Sequence, residues 1–399
     1  MPVKANPEDL VALFADPDSC PTDSLESRRL ADEPAFVAWQ QEIPGDYLEM
    51  TPEELHRRIS RARTLLGEKL VVLGHHYQRD EVIQYADFTG DSFKLARCAA
   101  EQDGADYVLF CGVHFMAESA DILTEPQVRV ILPNLAAGCS MADMAAPADV
   151  FAAWDHIVAE LGEDHGVIPV TYMNSAASLK AFTGLRGGLV CTSSNAARAL
   201  EWAQARGKKI LFFPDQHLGR NTAYDLGIGL DEMAVWDYRQ PGGGLNADDL
   251  RAARIILWQG HCSTHQRFTT EQIAKARREH PGVNVIVHPE CRWEVVQAAD
   301  QAGSTEKITQ TISSGPAGSS WGIGTEINLV KRLAKEHPDK DIFCLDPVVC
   351  PCSTMYRIHP AYLAWTLEGL LRGEVINEVR VDADTRRWAL VALNRMLSI

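Results

Sequence analysis

Apolar runs that stop abruptly at a polar tip recur along the chain. Residues 71–78 (VVLGHHYQ), 168–174 (IPVTYMN) and 283–290 (VNVIVHPE) each read as a buried strand ending in polar side chains. Each leads to a small-residue turn that opens a helix: Gly90-Asp91-Ser92, Thr192-Ser193-Ser194-Asn195 and Gly303-Ser304-Thr305. A second strand is predicted at 107–111, at 210–213 and as a short piece near 322–324, followed by helical segments near 115–123, 215–223 and 325–333. A last strand follows at 130–132, 255–258 and 341–345, and the three exits carry Cys139, Cys262 and Cys352.

The spacings support three diverged copies of one unit. His75 to Ser92 and His288 to Thr305 are both 17 positions, whereas Tyr172 to Ser193 is 21. His75 to Cys139 and His288 to Cys352 are both 64, and Tyr172 to Cys262 is 90, or 26 more. Residues 224–248 of the middle copy are Gly-rich and lack clear periodicity, so they read as an inserted loop or flap that accounts for the excess. Strands alternating with helices predict an α/β fold with parallel sheets covered on both faces, and a site at the carboxyl ends of the strands. The expected divisions are an N-terminal extension at 1–54, repeats at 55–145, 146–265 and 266–375, and a strand and helix at 376–399.

Composition narrows the function classes. Of 399 residues 46% are apolar, enough for a substantial core, and the net charge is −16. So acidic a chain is not a general nucleic-acid binder, although a local pocket could still hold a small anion. No apolar run is long enough for a membrane span, and the first residues are acidic where a secretory signal needs an apolar stretch. A cytoplasmic, reduced protein is expected, so its ten cysteines point to metal or redox chemistry before disulfides.

Cys139, Cys262 and Cys352 occupy the same station of each copy, and none belongs to a CxxC pair. Three thiolates converging on one centre leave a coordination position open, as a catalytic metal site requires, but spacing does not name the metal. Cys20, Cys98, Cys111 and Cys191 read as ordinary cysteines; Cys291, Cys344 and Cys350 stay open. The tips His75-His76-Tyr77, Tyr172-Met173-Asn174 and His288-Pro289-Glu290 supply groups for proton transfer and anion contact, with Glu290 beside His288 as a carboxylate–imidazole pair. Ser92, Ser193 and Thr305 lie where helices begin, and free N–H groups there favour carboxylates and phosphates.

These residues resemble the quinolinate synthase family. The resemblance is carried by Gly74-His75-His76-Tyr77-Gln78, Gly90-Asp91-Ser92, Phe115-Met116-Ala117-Glu118-Ser119, Gly138-Cys139-Ser140-Met141, Tyr172-Met173-Asn174-Ser175, Thr192-Ser193 and Pro214-Asp215. It continues through Gly260-His261-Cys262 with His265, His288-Pro289-Glu290, Gly303-Ser304-Thr305, Gly324-Thr325-Glu326 and Cys350-Pro351-Cys352-Ser353-Thr354-Met355. It runs from about residue 55 to the C-terminus, and the extension and insertion are similar to the longer variety of the family.

The resemblance implies three homologous three-layer αβα sandwich domains around a pseudo-threefold axis. It implies condensation of iminoaspartate with dihydroxyacetone phosphate to quinolinate, phosphate and water, in de novo NAD biosynthesis. It implies a [4Fe–4S] cluster on Cys139, Cys262 and Cys352, whose open iron serves as a Lewis acid. Cys352 is preferred to Cys350 because Met355 follows at the family's spacing and the 64-residue offset is kept. Tyr77 and the Glu290–His288 pair become candidate proton carriers. His75, Ser92, Tyr172, Asn174, Ser193, His265 and Thr305 would hold carboxylates or phosphate, with Met173 and Pro289 in the same substrate-binding tips. The pathway implies coupling to L-aspartate oxidase, with no nucleic-acid or membrane partner. Another [4Fe–4S]-dependent dehydratase fits the cysteines alone, though not the three tips. A zinc or iron–sulfur sensor around Cys350-Pro351-Cys352 lacks any basic patch.

Overall fold

The computed structural model describes residues 29–32, 42–101, 104–348 and 351–399. Most of the expected N-terminal extension, with Cys20, lies outside the described residues, as does Cys350.

Three sheets carry the fold. The first holds β1 (Leu70–His75), β2 (Phe88–Gly90), β3 (Tyr107–Cys111) and β4 (Arg129–Ile131) in the parallel order β2-β1-β3-β4. The second holds β5 (Val167–Tyr172), β6 (Leu189–Cys191), β7 (Lys209–Phe213), β8 (Met233–Trp236) and β9 (Ile255–Trp258), in the order β6-β5-β7-β9-β8. The third holds β10 (Asn284–Val287), β11 (Gln301–Ala302), β12 (Ser320–Gly324) and β13 (Asp341–Cys344), in the order β11-β10-β12-β13. Without β8, one strand order is repeated three times. The strands are nearly continuous buried runs because helices cover both faces. In the third sheet Val285 and Val287 join one apolar cluster and Ile286 and Ile323 another, one on each side.

The repeat extends to individual hydrogen bonds. Val72 N–H donates to the Asp87 carboxylate and Val285 N–H to that of Asp300, both at 2.8 Å and both fifteen residues on. Asp91 caps its helix by accepting from Lys94 N–H, and Ser304 does so from Lys307 N–H. The His75 imidazole accepts from Tyr77 N–H (3.1 Å) and that of His288 from Glu290 N–H (3.3 Å). Each cysteine station is alike too: the carbonyls of Cys139, Cys262 and Cys352 accept from Asp143, Gln266 and Tyr356, four residues on.

The insertion departs from the expected loop. Its residues Met233–Trp236 form β8, which pairs in parallel with β9 at the sheet edge. Four residues beside two acidic ones carry too little periodicity to announce a strand, and only the neighbouring β9 fixes their register. The following turn at Pro241–Gly244 needs its glycines: Gly243 has φ +66°, and a Cβ there would lie 2.2 Å from the Trp236 ring. β12 starts at Ser320, earlier than expected, and the next helix (Ile327–Glu336) starts later because Glu326 caps it through Asn328 N–H.

The chain ends by tying two units together. β14 (Glu378–Val379) adds antiparallel to β4, and the helix Ala383–Leu397 then packs on the helix Ala177–Leu185 of the second unit. That approach is close at Gly184, where a Cβ would fall 2.0 Å from the Trp388 carbonyl. No helix among the described residues is long and apolar enough to cross a membrane.

Candidate active site

The strand ends of all three units face one buried cavity. Its wall includes Cys139, Cys262 and Cys352 together. His75, Tyr77, Tyr172, Asn174, His288 and Glu290 line it from the three tips. Ser92 and Thr305 line it from the first positions of their helices, and Ser193 from the turn before Ala196–Gln204. Three predicted residues stand behind this wall. His265 is buried against Glu290, Met173 packs on the Ser119 hydroxyl, and the Pro289 carbonyl accepts from Asn221.

The tip of β1 is held by the third unit. Arg332 donates to the carbonyls of His76 (2.9 Å) and Gln78 (2.6 Å), and Asn328 to that of Tyr77 (3.3 Å). With its backbone fixed, the Tyr77 side chain reaches Thr325 Oγ1 at 2.8 Å. Thr325 lies 3.1 Å from His265 Nε2, and His265 Nδ1 lies 2.7 Å from Glu290 Oε2. Tyr172 closes the chain by donating to Glu290 Oε1 at 2.6 Å. Tyr77, His265 with Tyr172, and Thr325 with Glu290 come from different units, so no single unit contains this network.

The carboxylate–imidazole pair read from sequence gains a second, closer imidazole. Glu290 lies 2.7 Å from His265 and 3.9 Å from His288. Pro289 and Glu290 lie in a turn after β10, closed by the Cys291 N–H on the His288 carbonyl, whereas His265 arrives from another unit and stacks on the His288 ring at 4.4 Å.

Burial sets the protonation states. It opposes ionising Glu290, but the flanking imidazoles and the hydrogen bonds from His265 and Tyr172 outweigh it and hold the carboxyl well below the usual range. Burial, reinforced by the Glu290 charge, pushes Tyr77 and Tyr172 well above the usual phenol range, so both stay protonated donors. Burial also lowers His75 and His288 to about 3, leaving both neutral. Asp215, fully buried, is pushed up by burial and by the Glu290 charge.

The cysteines suit a cationic centre. Burial raises all three thiols, Cys139 to about 12, and the neighbouring sulfurs add to the rise at Cys139 and Cys262. The backbone N–H three residues on (Ala142, His265 or Met355) lies against each sulfur and favours its thiolate. Metal-capable atoms of Cys262, His265 and Glu290 also fall within 4.8 Å of one another. Asn174 Oδ1 is buried on the wall without a hydrogen-bond partner among the described residues, an acceptor left for a ligand. Cys352 belongs to this wall, whereas Cys344 lies behind it, 3.9 Å from the Thr325 carbonyl.

Sequence reasoning missed Thr325, Asp91, Thr264 and the apolar wall of Phe115, Met116 and Met141. Thr325, Asp91, Phe115, Met116 and Met141 lie within motifs of the resemblance, but nothing local to a threonine after a strand reports that a tyrosine and a histidine from other units meet it.

A family model described as quinolinate synthetase A protein matches residues 57–398. The quinolinate synthase of Corynebacterium glutamicum is 58% identical over 366 residues, covering 92% of this chain and 93% of that protein. That of Streptomyces coelicolor is 56% identical over 361 residues, covering 90% and 91%. That of Geobacillus kaustophilus is 53% identical over 359 residues, covering 90% and 97%.

Proposed function

The chain belongs to the quinolinate synthetase A family, and from that premise we propose that it condenses iminoaspartate with dihydroxyacetone phosphate, releasing quinolinate, phosphate and water. The observation that carries the reading is the convergence of three equivalent cysteines on a cavity walled by the Tyr77–Thr325–His265–Glu290–Tyr172 network. Cys139, Cys262 and Cys352 would hold a [4Fe–4S] cluster, which supplies a Lewis-acidic iron without a protein ligand. Three buried sulfurs on one wall, each with a backbone N–H against it, suit a cluster whose ligand sulfurs accept such hydrogen bonds.

The protein's own residues account for binding and proton movement. Neutral His75, the Asn174 amide and the hydroxyls of Ser92, Ser193 and Thr305 bind carboxylate and phosphate oxygens as fixed dipoles. Glu290, held as an anion, takes the proton released in the condensation. His265 and Thr325 carry it toward Tyr77, whose protonated phenol donates to a departing oxygen. Closure around the cavity keeps water from the labile imine, which an L-aspartate oxidase would supply.

Anaerobic protein assayed with iminoaspartate and dihydroxyacetone phosphate is expected to form quinolinate and to contain about four irons and four sulfides per chain. Stoichiometric zinc without sulfide, or no quinolinate from iron-replete protein, overturns the reading.

A further inference from the structure

Outside the cavity, a surface hollow of about 360 Å3 opens between the helix Gln216–Asp225, the inserted strand β8 and the segment after Glu290. Arg220, Arg292 and His217 line it together with Trp293 and one carboxylate, Glu294. Leu230, Met233 and Val235 of the insertion form its apolar side.

Its two arginines form no ion pair among the described residues. Arg220 is half-buried and makes hydrogen bonds only to Gln216 (3.1 Å) and His217 (3.3 Å) among the described residues. Arg292 donates through Nε to Gln266 at 2.9 Å, and its two terminal nitrogens meet no acceptor among the described residues. Trp293 Nε1 is buried and likewise lacks a partner there. In a chain of net charge −16, two guanidinium groups beside one pocket without an ion pair make a local exception. His217 reports the same positive field: burial first, then Arg220, His261 and Arg292, lower its pKa to about 3. The carboxyl groups of Asp215 and Glu294 act on Arg220 only at a distance, without an ion pair among the described residues, and a bound anion with several acceptor oxygens supplies the direct partner that its half-buried guanidinium lacks.

We propose that this hollow is a second anion site, distinct from the core cavity, that takes a phosphate dianion, free or as a small phosphate monoester. The planar forks of Arg220 and Arg292 supply charge-assisted donors, the Trp293 indole supplies a neutral one, and the apolar side accommodates a short carbon chain. The hollow backs onto the core: Asn221, on the helix that carries Arg220, donates to the carbonyls of Pro289 (2.8 Å) and Cys291 (2.9 Å), on either side of Glu290. The insertion thereby gains a function as a wall of this site. The proposal does not depend on which reaction the core performs.

Calorimetric titration of anaerobically purified protein with inorganic phosphate tests it without turnover. Binding is expected to weaken about tenfold or more in Arg220→Gln and in Arg292→Gln, the worth of one lost charged hydrogen bond, and to persist in the core variant Ser193→Ala. Arg220→Lys, which keeps the charge, is expected to retain part of the affinity. If Arg220→Gln does not fold, the exposed Arg292→Gln decides alone. Dihydroxyacetone phosphate, titrated in parallel, identifies the source. An arginine-dependent second site for the ester marks the monoester as ligand, and its absence beside retained phosphate binding marks free phosphate. Phosphate affinity unchanged by either glutamine variant, or no phosphate binding to the wild-type protein, overturns the proposal. Neither result bears on quinolinate formation, which is assayed separately.

Discussion

The core cavity and the outer hollow meet negative charge in opposite ways. Among the described residues no lysine or arginine lines the core cavity; its histidines are held neutral, and its donors are hydroxyls, an amide and protonated phenols. The hollow presents two arginines with one carboxylate on its rim. The difference follows from depth. A full cation deep in the core would need a partner, whereas fixed dipoles cost less to bury and keep their direction during a reaction. Near the surface, water screens an arginine until a ligand arrives. The core is thus organised for chemistry on a held substrate, and the hollow for capture of charge.

The largest effect expected to sharpen this contrast lies at the sulfurs. Cys352→Ala is expected to abolish iron, sulfide and quinolinate formation, while Cys344→Ala, behind the wall, keeps all three; metal analysis and the product assay read both. The reverse pattern would move the third ligand. Glu290→Gln comes next. The amide keeps the shape but cannot take a proton, so kcat is expected to fall about 10²- to 10⁴-fold. Turnover within tenfold of wild type would remove Glu290 as the proton carrier.

Thr325→Val separates the relay from the wall. It leaves Tyr77 and His265 without their shared hydroxyl, so unfolding free energy should drop by roughly 1–3 kcal/mol. Thr325→Ser should restore both stability and kcat; a valine variant with wild-type kcat would exclude transfer through this hydroxyl.

A last effect concerns pH and spans both regions. His75 and His288 in the core and His217 at the hollow stay neutral when folded down to about pH 3. Unfolded histidines take a proton near pH 6.5, so the unfolded state binds more protons below that value. Their contribution is therefore fully present above about pH 6.5 and declines on acidification toward pH 3, by about 1.4 kcal/mol per pH unit per histidine. Urea unfolding between pH 7 and 5 measures the slope, and His217→Gln should reduce it by one histidine's share. An unchanged slope would mean that His217 titrates normally.

Much of this protein was legible in its sequence because the informative features are local and repeated. A strand buried on both faces writes a continuous apolar run, its end writes a polar tip, and a helix start writes a small capping residue. Three copies made the spacings check one another, which picked out Cys139, Cys262 and Cys352 and the residues around them. Tertiary structure alone decided what crosses between copies. It brought His265 closer to Glu290 than His288, placed Thr325 between Tyr77 and His265, made four residues of the insertion the edge strand β8, and left Arg220 and Arg292 facing one hollow. Such contacts depend on how separate units pack, and side chains that meet only there leave no period along the chain.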